Sequence, residues 1–188
     1  MYTNNAYLNN STLDIKDKSK PLIVTSCGTY HLYTRPKLPT WRPRGRRDFQ
    51  LLYIASGKAH FYFVGKEQIV TAGHMVLYRP KEPQKYEYYG EDQTEAYWVH
   101  FTGGNVTNIL RSYGLTDDKK VFYCGSGIEY QTIFRAMIHE LQMCKDSYPE
   151  MLEMYLRQIF IMLQRFFQTS TKTSNTMAAE EIDKATLY

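Results

Sequence analysis

The segment from Asp48 to Gly103 constrains the fold most strongly, because short aromatic and β-branched runs alternate there with glycine-containing turns. The turns recur at spacings of about 8 to 12 residues, which is typical of successive hairpins in a sandwich or barrel. Glycine reaches the positive φ values that tight connections need, and aromatic side chains fit a half-buried pleated surface. The pattern predicts a small closed β-barrel.

The hydrophobic pattern divides the 188 residues into four zones. Residues 1–20 are rich in Asn, Ser, Asp and Lys, and they predict a flexible arm that is either disordered or folded over a pocket. Residues 21–103 form the β-rich zone, and in residues 104–168 apolar side chains recur at helical spacing. Strands followed by helices predict an α+β layout or an all-β domain with a helical tail.

The last long helix, predicted from about Pro149 to Phe167, carries more apolar surface than one contact needs. Its polar residues form a narrow stripe made of Glu150, Glu153, Arg157 and Gln164. A helix packed on one side usually shows a narrower apolar face. Two interpretations stay open: a deeply buried core helix, or a helix with one face on the barrel and another on a partner, most simply a second copy of the chain.

Residues 169–188 form the fourth zone. The polar run from Thr169 to Thr176 predicts a linker, because it has no apolar side chains to bury. A helix-favouring segment follows and continues to Tyr188. We expect it to be the start of a truncated domain, with a frayed terminal helix as the alternative.

Composition argues against several classes of protein. No apolar run approaches the roughly 18 residues of a membrane helix, and the N-terminus lacks the basic start and apolar block of a secretory signal. The chain is therefore expected in the cytoplasm, with no membrane partner. Three widely separated cysteines predict neither a disulfide framework nor a zinc site. A net charge of +4 is too small to indicate an acidic partner.

Four arginines lie within six residues, and they are Arg42, Arg44, Arg46 and Arg47. Such a basic loop could contact phosphates. It could also bind a carboxylate or a sugar hydroxyl through one guanidinium. The remaining alternative is a solvated surface loop, and the residues alone leave all three open.

Three motifs occur in order: RDFQLLYIASG at residues 47–57, GHMVLYRP at residues 73–80 and WVHF at residues 98–101. In this combination the chain closely resembles, over about residues 21–168, the N-terminal cupin domain of AraC-family transcription regulators. The resemblance implies a mainly β fold with C-terminal helices: a cupin-like, double-stranded β-helix (jelly-roll) barrel that binds a sugar, then a helical hairpin that forms a homodimer.

The same resemblance extends to the end of the chain. Residues 179–188 resemble the first helix of the DNA-binding half, which follows a linker in this family and contains two helix-turn-helix motifs. The chain would then be the regulatory half of a transcription factor, with a small-molecule effector, no cofactor, no metal and no catalytic residues. It would reach DNA only through the missing domain.

The resemblance also implies ligand-binding residues. Arg42 falls where a sugar-binding arginine is expected, with a plain surface charge as the alternative. Trp98 falls where a sugar ring stacks, or it is plain core. Tyr86 falls at a pocket tyrosine, or it belongs to an aromatic strand. His100 lies two residues after Trp98 and so shares its face of a strand, either in the pocket or as a core histidine.

One position departs from the family pattern. Ala96 stands where the arabinose regulator of the family carries a pocket histidine. Loss of that donor puts an identical sugar in doubt. A related saccharide, a glycoside, a uronic acid or no small ligand at all are left open.

The main alternative is a metal-dependent cupin enzyme, in which two closely spaced histidines, a glutamate and a later histidine converge on one ion. His60 has no second histidine at that spacing, Glu67 lacks a histidine pair, and Lys85 occupies the stretch where the later histidine is expected. The sequence therefore argues against this ligand set. A stand-alone sugar-binding module is the other alternative.

Overall fold

The strand-like runs of the sequence form two antiparallel sheets in the computed structural model, which describes the backbone of residues 1–185 and the side chains of residues 1–171. The strands are β1 (Tyr2–Tyr7), β2 (Ile23–His31), β3 (Lys37–Arg42), β4 (Phe49–Ser56), β5 (Lys58–Phe63), β6 (Lys66–Thr71), β7 (His74–Tyr78), β8 (Gln84–Tyr89), β9 (Glu95–Thr102) and β10 (Val121–Tyr123). The helices are α1 (Val106–Ser112), α2 (Ile128–Met143) and α3 (Tyr148–Ala185), with a 3-10 turn at Leu8–Asn10.

The larger sheet has six strands in the order β1-β2-β9-β4-β7-β10, and the smaller has four in the order β3-β8-β5-β6. Their facing surfaces enclose one apolar cluster, as in a jelly-roll barrel. The predicted fold class, mainly β with C-terminal helices, is confirmed.

The larger sheet is buried on both faces because its side chains alternate between two cores. On β9, Val99 and Phe101 belong to the cluster shared with α2 and α3. Ala96 and Trp98, on the opposite face, belong to the cluster between the sheets. Successive strand residues point to opposite faces, so a strand buried on both sides is apolar along its whole length.

Helices α2 and α3 cover the outer face of the larger sheet with one side each. Buried residues from the two helices include Phe134, Met137, Leu156 and Phe160. The outward side of α3 is not formed by the predicted polar stripe alone. It also carries two apolar side chains, Met154 and Ile161, which are 64% and 37% exposed. Within residues 1–185, no helix combines the length and the apolar character that crossing a membrane requires.

Three elements differ from the sequence analysis. Residues 1–20, expected to be a flexible arm, contain β1, whose backbone pairs with β2 and whose polar side chains hide the strand signal. Residues 104–168 contain β10, which pairs with β7. The expected linker lies within α3, where Thr169 Oγ1 donates to Arg165 O at 3.0 Å, so this polar side chain is satisfied on the helix itself.

The expected start of a helix-turn-helix domain lies outside the residues whose side chains the structure describes.

Candidate functional site

A cavity of about 330 Å³ lies between the two sheets. Side chains from both sheets and from the N-terminal segment surround it. They are Tyr7, Thr12, Tyr30, Leu38, Pro39, Thr40, Arg42, Arg46, Gln50, Tyr86, Tyr88, Trp98 and His100.

The fold brings all four residues selected from the sequence to this one cavity. Strands β3 and β8 are antiparallel neighbours, which places Arg42 and Tyr86 on the smaller sheet, two register positions apart. Trp98 and His100 lie on one face of β9 in the larger sheet, and their ring centroids are 4.7 Å apart. The two pairs therefore approach the cavity from opposite walls.

The aromatic residues of the cavity are part of the core as well as part of its wall. Trp98 is 3% exposed, and its ring centroid lies 6.0 Å from Tyr7 and 6.2 Å from Tyr30. Tyr86 is stacked against Phe61 with a centroid distance of 5.1 Å. The two interpretations of Trp98, sugar platform and plain core, are thus compatible, because one ring can pack on one side and face the cavity on the other.

His100 is held as a neutral imidazole. Burial, together with the nearby charges of Arg46 and Arg42, lowers the pKa of His100 well below its ordinary value of 6.5. Its Nδ1 lies 2.9 Å from the hydroxyl oxygen of Ser26. Only Nε2 is left to interact with a molecule in the cavity.

Four buried polar atoms of residues that border the cavity have no hydrogen-bond partner among the described residues. They are Gln50 Oε1, the Tyr88 hydroxyl, Trp98 Nε1 and His100 Nε2. These four residues are only 2%, 1%, 3% and 5% exposed. Gln50 is fixed through its other end, since Nε2 donates to the Tyr86 hydroxyl at 3.3 Å. Buried polar groups in folded proteins are normally paired, so these atoms are available to a molecule bound in the cavity.

The two arginines of the cavity have different partners. Arg46 forms a two-point ion pair with Asp48, with Nε and Nη2 donating to Oδ1 and Oδ2 at 2.6 and 2.8 Å. Burial raises the pKa of Asp48, and the Arg46 guanidinium opposes that shift. Arg42 Nη1 instead donates to the neutral amide oxygen of Gln84 at 2.7 Å.

The N-terminal segment contributes two residues to the cavity wall. Tyr7 ends β1 and Thr12 follows the 3-10 turn, and both residues border the cavity. Closure of residues 1–20 over the pocket stays a prediction.

Sequence reasoning missed Gln50 and Tyr30 as cavity residues. A polar side chain inside the apolar run of β4 was the available signal for Gln50. Tyr30 had no local signal, because its contribution comes from pairing with β9, where it stands opposite Ala96. Its phenol therefore lies beside the position where the family histidine is missing. Burial raises the pKa of Tyr30 to about 12, which keeps the hydroxyl protonated.

The residues considered for a metal-dependent cupin do not meet in the barrel. His60 Nδ1 lies 2.8 Å from Glu67 Oε1, and neither residue borders the cavity. In the part of the chain whose side chains are described, no group of three or more His, Cys, Asp or Glu is arranged to hold a metal ion.

A larger cavity, of about 510 Å³, lies outside the barrel beside the start of α1. Its charged groups are the exposed side chains of Lys16, Lys18, Arg47 and Lys81. No unpaired buried polar atom of the described residues borders it. The barrel cavity is therefore the better candidate for specific recognition.

The comparison with protein families defines the class of this barrel. A sequence model of the AraC-like ligand binding domain matches residues 27–176. The chain therefore belongs to the family of AraC-like ligand-binding domains. A comparison with curated protein sequences gave no match.

Solved structures with a similar fold include AraC-type regulators and cupins. An apo ToxT variant from Vibrio cholerae is 14% identical with a TM-score of 0.48, over 85% of this chain and 59% of that one. The AraC-like transcriptional activator CuxR is 11% identical with a TM-score of 0.48, over 77% and 51%. A cupin protein from Bacteroides fragilis is 12% identical with a TM-score of 0.37, over 52% and 87%. This chain thus spans little more than half the length of the two regulators.

Proposed function

We propose that this chain is the effector-sensing and dimerisation domain of an AraC-type transcription regulator, and that its effector is a sugar or a related small molecule. The effector would occupy the barrel cavity in contact with Arg42, Tyr86, Trp98 and His100. The domain would perform no catalysis. It would act in the cytoplasm by changing how an attached DNA-binding domain meets DNA.

The observation that carries this proposal is the set of unpaired polar atoms on Gln50, Tyr88, Trp98 and His100. Leaving a buried polar group unpaired costs about 1 to 3 kcal/mol, so four of them together favour a bound molecule that completes the hydrogen bonds. Saccharide hydroxyls both donate and accept. The indole of Trp98 and the rings beside it offer apolar surface for the C–H face of a sugar.

Contacts of the N-terminal segment suggest how binding would be transmitted. Tyr7 borders the cavity at the end of β1, and in the same strand Asn4 Oδ1 accepts a hydrogen bond from Gln142 Nε2 of α2 at 2.7 Å. An effector that contacts Tyr7 would therefore favour one position of β1 relative to the helices. Effector binding and DNA binding would then be coupled reciprocally.

The helical layer would form the homodimer. Met154 and Ile161 lie seven residues apart on the outward face of α3, with Gln158 exposed between them. Large exposed apolar side chains in one row are typical of helix-to-helix contact surfaces. DNA contact would come from a further domain, of which residues 179–188 would be the beginning.

Thermal unfolding in the presence of monosaccharides, disaccharides and uronic acids tests the proposal. A ligand present at 100 times its Kd should stabilise the chain by about 2.7 kcal/mol. Replacing Trp98 with alanine should abolish that stabilisation, whereas Trp41→Ala, which removes the exposed tryptophan on the outer side of β3, should leave it unchanged. Should Trp98→Ala fail to fold, Trp98→Phe replaces it.

The same measurement with a divalent metal and with a chelator separates the sensor from a metal-dependent enzyme. If a saccharide stabilises the chain equally with metal, with chelator and with neither, the result supports the sensor. Stabilisation by metal alone, or a Trp98 variant that keeps full affinity, contradicts it.

A further inference from the structure

The charges around the barrel cavity are all of one sign. Arg42 and Arg46 border it, and none of its lining residues, all of which the structure describes, is acidic. The charge of Arg46 is already balanced, because Asp48 pairs with it through both carboxylate oxygens and is itself buried.

Arg42 has no such balance. No carboxylate among the described side chains pairs with it, and its hydrogen-bond partner is the neutral Gln84. Trp41, the residue before it on β3, is 66% exposed and points outward. Neighbouring residues of a strand point to opposite faces, so the Arg42 side chain is directed to the inner side of β3. Arg42 is half-buried, and an anion bound in the cavity would pair with its charge.

Arg42 acts electrostatically on residues of both cavity walls. The guanidinium contributes to lowering the pKa of His100 on the opposite sheet. It also opposes the burial that raises the pKa of Tyr30 and of Tyr88. These three residues border the same cavity, so a molecule bound there would meet the field of Arg42.

The unpaired polar atoms come from both sheets, with Tyr88 on β8 beside the strand of Arg42, and Gln50 and His100 on the larger sheet. Gln50 Oε1, the Tyr88 hydroxyl and His100 Nε2 are neutral, and they suit hydroxyl groups. A guanidinium suits a carboxylate, because its two parallel N–H groups match the two carboxylate oxygens. The cavity thus combines one anion-binding group with several groups that bind hydroxyls.

From this arrangement we infer that the effector is an acidic saccharide, such as a hexuronic acid, whose carboxylate pairs with Arg42 while its hydroxyls meet Gln50, Tyr88 and His100. This inference rests on the proposed function, since it specifies the effector of the same cavity. It adds that a neutral sugar leaves the charge of Arg42 uncompensated and binds more weakly.

Calorimetric titration with matched ligands tests the inference. The probes are D-glucuronate, D-galacturonate, their methyl esters, D-glucose and D-galactose, each added to the 188-residue chain. At least one uronate should bind about 10-fold or more tightly than its ester and its neutral sugar, because a charge-assisted pair is lost in both. Raising the salt concentration should weaken binding of the uronate more than that of the neutral sugar.

Two arginine variants provide the matched comparison. Arg42→Gln should lower uronate affinity about 10- to 100-fold and leave the affinity for the neutral sugar nearly unchanged. Arg44→Gln removes an exposed arginine of the same loop that does not border the cavity, and should change neither. If Arg42→Gln does not fold, the inference is tested on the unaltered chain, by comparing each uronate with its ester and by the salt dependence of binding.

The outcomes distinguish this inference from the proposed function. Neutral sugars that bind as tightly as their uronates overturn the inference and leave the sensor intact. Uronate binding that Arg42→Gln does not change also overturns it. If no saccharide of either kind binds, both the inference and the saccharide effector are wrong.

Discussion

The larger sheet has one core on each face: the helix-facing core packs against α2 and α3, and the barrel-facing core lies between the two sheets. The tyrosine hydroxyls of these two cores differ in their hydrogen bonding. On the helix side, the Tyr53 hydroxyl donates to Gly125 O at 3.3 Å, and the Tyr97 hydroxyl donates to Glu95 at 2.6 Å. On the barrel side, the hydroxyls of Tyr78 and Tyr88 are buried and have no partner among the described residues, whereas the Tyr86 hydroxyl accepts a hydrogen bond from Gln50 Nε2 at 3.3 Å. Tyr88 borders the cavity and Tyr78 does not, so Tyr88 is the unpaired tyrosine hydroxyl that a bound molecule can reach.

Two arginines, Arg135 and Arg42, show a similar contrast, although Arg46 on the barrel side is paired with Asp48. Arg135, at the edge of the helix side, donates to the Tyr97 hydroxyl at 2.9 Å and pairs with Glu95. Arg42, on the barrel side, is bound only to a neutral amide among the described residues. Polar groups that are satisfied internally contribute to one fixed structure, whereas unsatisfied ones offer binding energy to a ligand.

The largest loss of stability is expected from creating a cavity in the helix-facing core. Phe160 is fully buried and packs edge-on against Phe101 with a centroid distance of 5.9 Å. Phe160→Ala should lower the free energy of unfolding by about 3 to 5 kcal/mol, because the cavity cannot fully collapse. Denaturant titration measures this loss, and Met154→Ala on the exposed face should cost far less. Equal losses would mean that the helices do not close this core.

The next largest effect concerns His100 and pH. Its pKa is lowered in the folded protein, so below the ordinary value of 6.5 the unfolded chain binds more protons and folding weakens. At pH 5.5 this amounts to about 1 kcal/mol relative to pH 7.5. Unfolding at both pH values should show that extra loss in the unaltered chain and not in His100→Gln. An identical pH dependence in both proteins would contradict a buried neutral imidazole.

A pair of tyrosine variants sharpens the comparison between the cores directly. Tyr53→Phe removes a hydroxyl that has a partner and should destabilise the chain by about 1 kcal/mol. Tyr88→Phe removes one without a partner, so the ligand-free chain should be stabilised or unchanged. Effector affinity should fall only in Tyr88→Phe. Thermal unfolding and titration measure both quantities, and a destabilised Tyr88→Phe would show that its hydroxyl is satisfied internally.

The smallest effect on folding is expected on the outward face of α3. Ile161→Glu should change the unfolding free energy of a monomer by less than about 0.5 kcal/mol, because the side chain is 37% exposed. The same change should convert dimers to monomers in sedimentation velocity, since it places a charge in the proposed interface. Lys66→Glu, exposed on β6 of the other sheet, serves as the control. A dimer unaffected by Ile161→Glu would exclude this face.

The parts of the structure that could be predicted from sequence depend on neighbours along the chain. Alternation along β9 was sufficient to place Trp98 and His100 on one face, and the glycine-containing turns were sufficient to predict hairpins. Resemblance to a family added Arg42 and Tyr86, which share no local signal with the other two. Strand β1 could not be found in this way, because its polar residues form a strand only through backbone pairing with β2.

By itself, then, the sequence determined the hairpins of residues 48–103, the barrel class and two residues on one strand, because turn chemistry and side-chain periodicity are local properties. Only the tertiary structure decided that Gln50, Tyr88 and His100 would be left unpaired around one cavity, and that Arg46 would be neutralised while Arg42 would not. Pairing between distant strands sets the distances between polar groups, and those distances decide which hydrogen bonds and ion pairs can form.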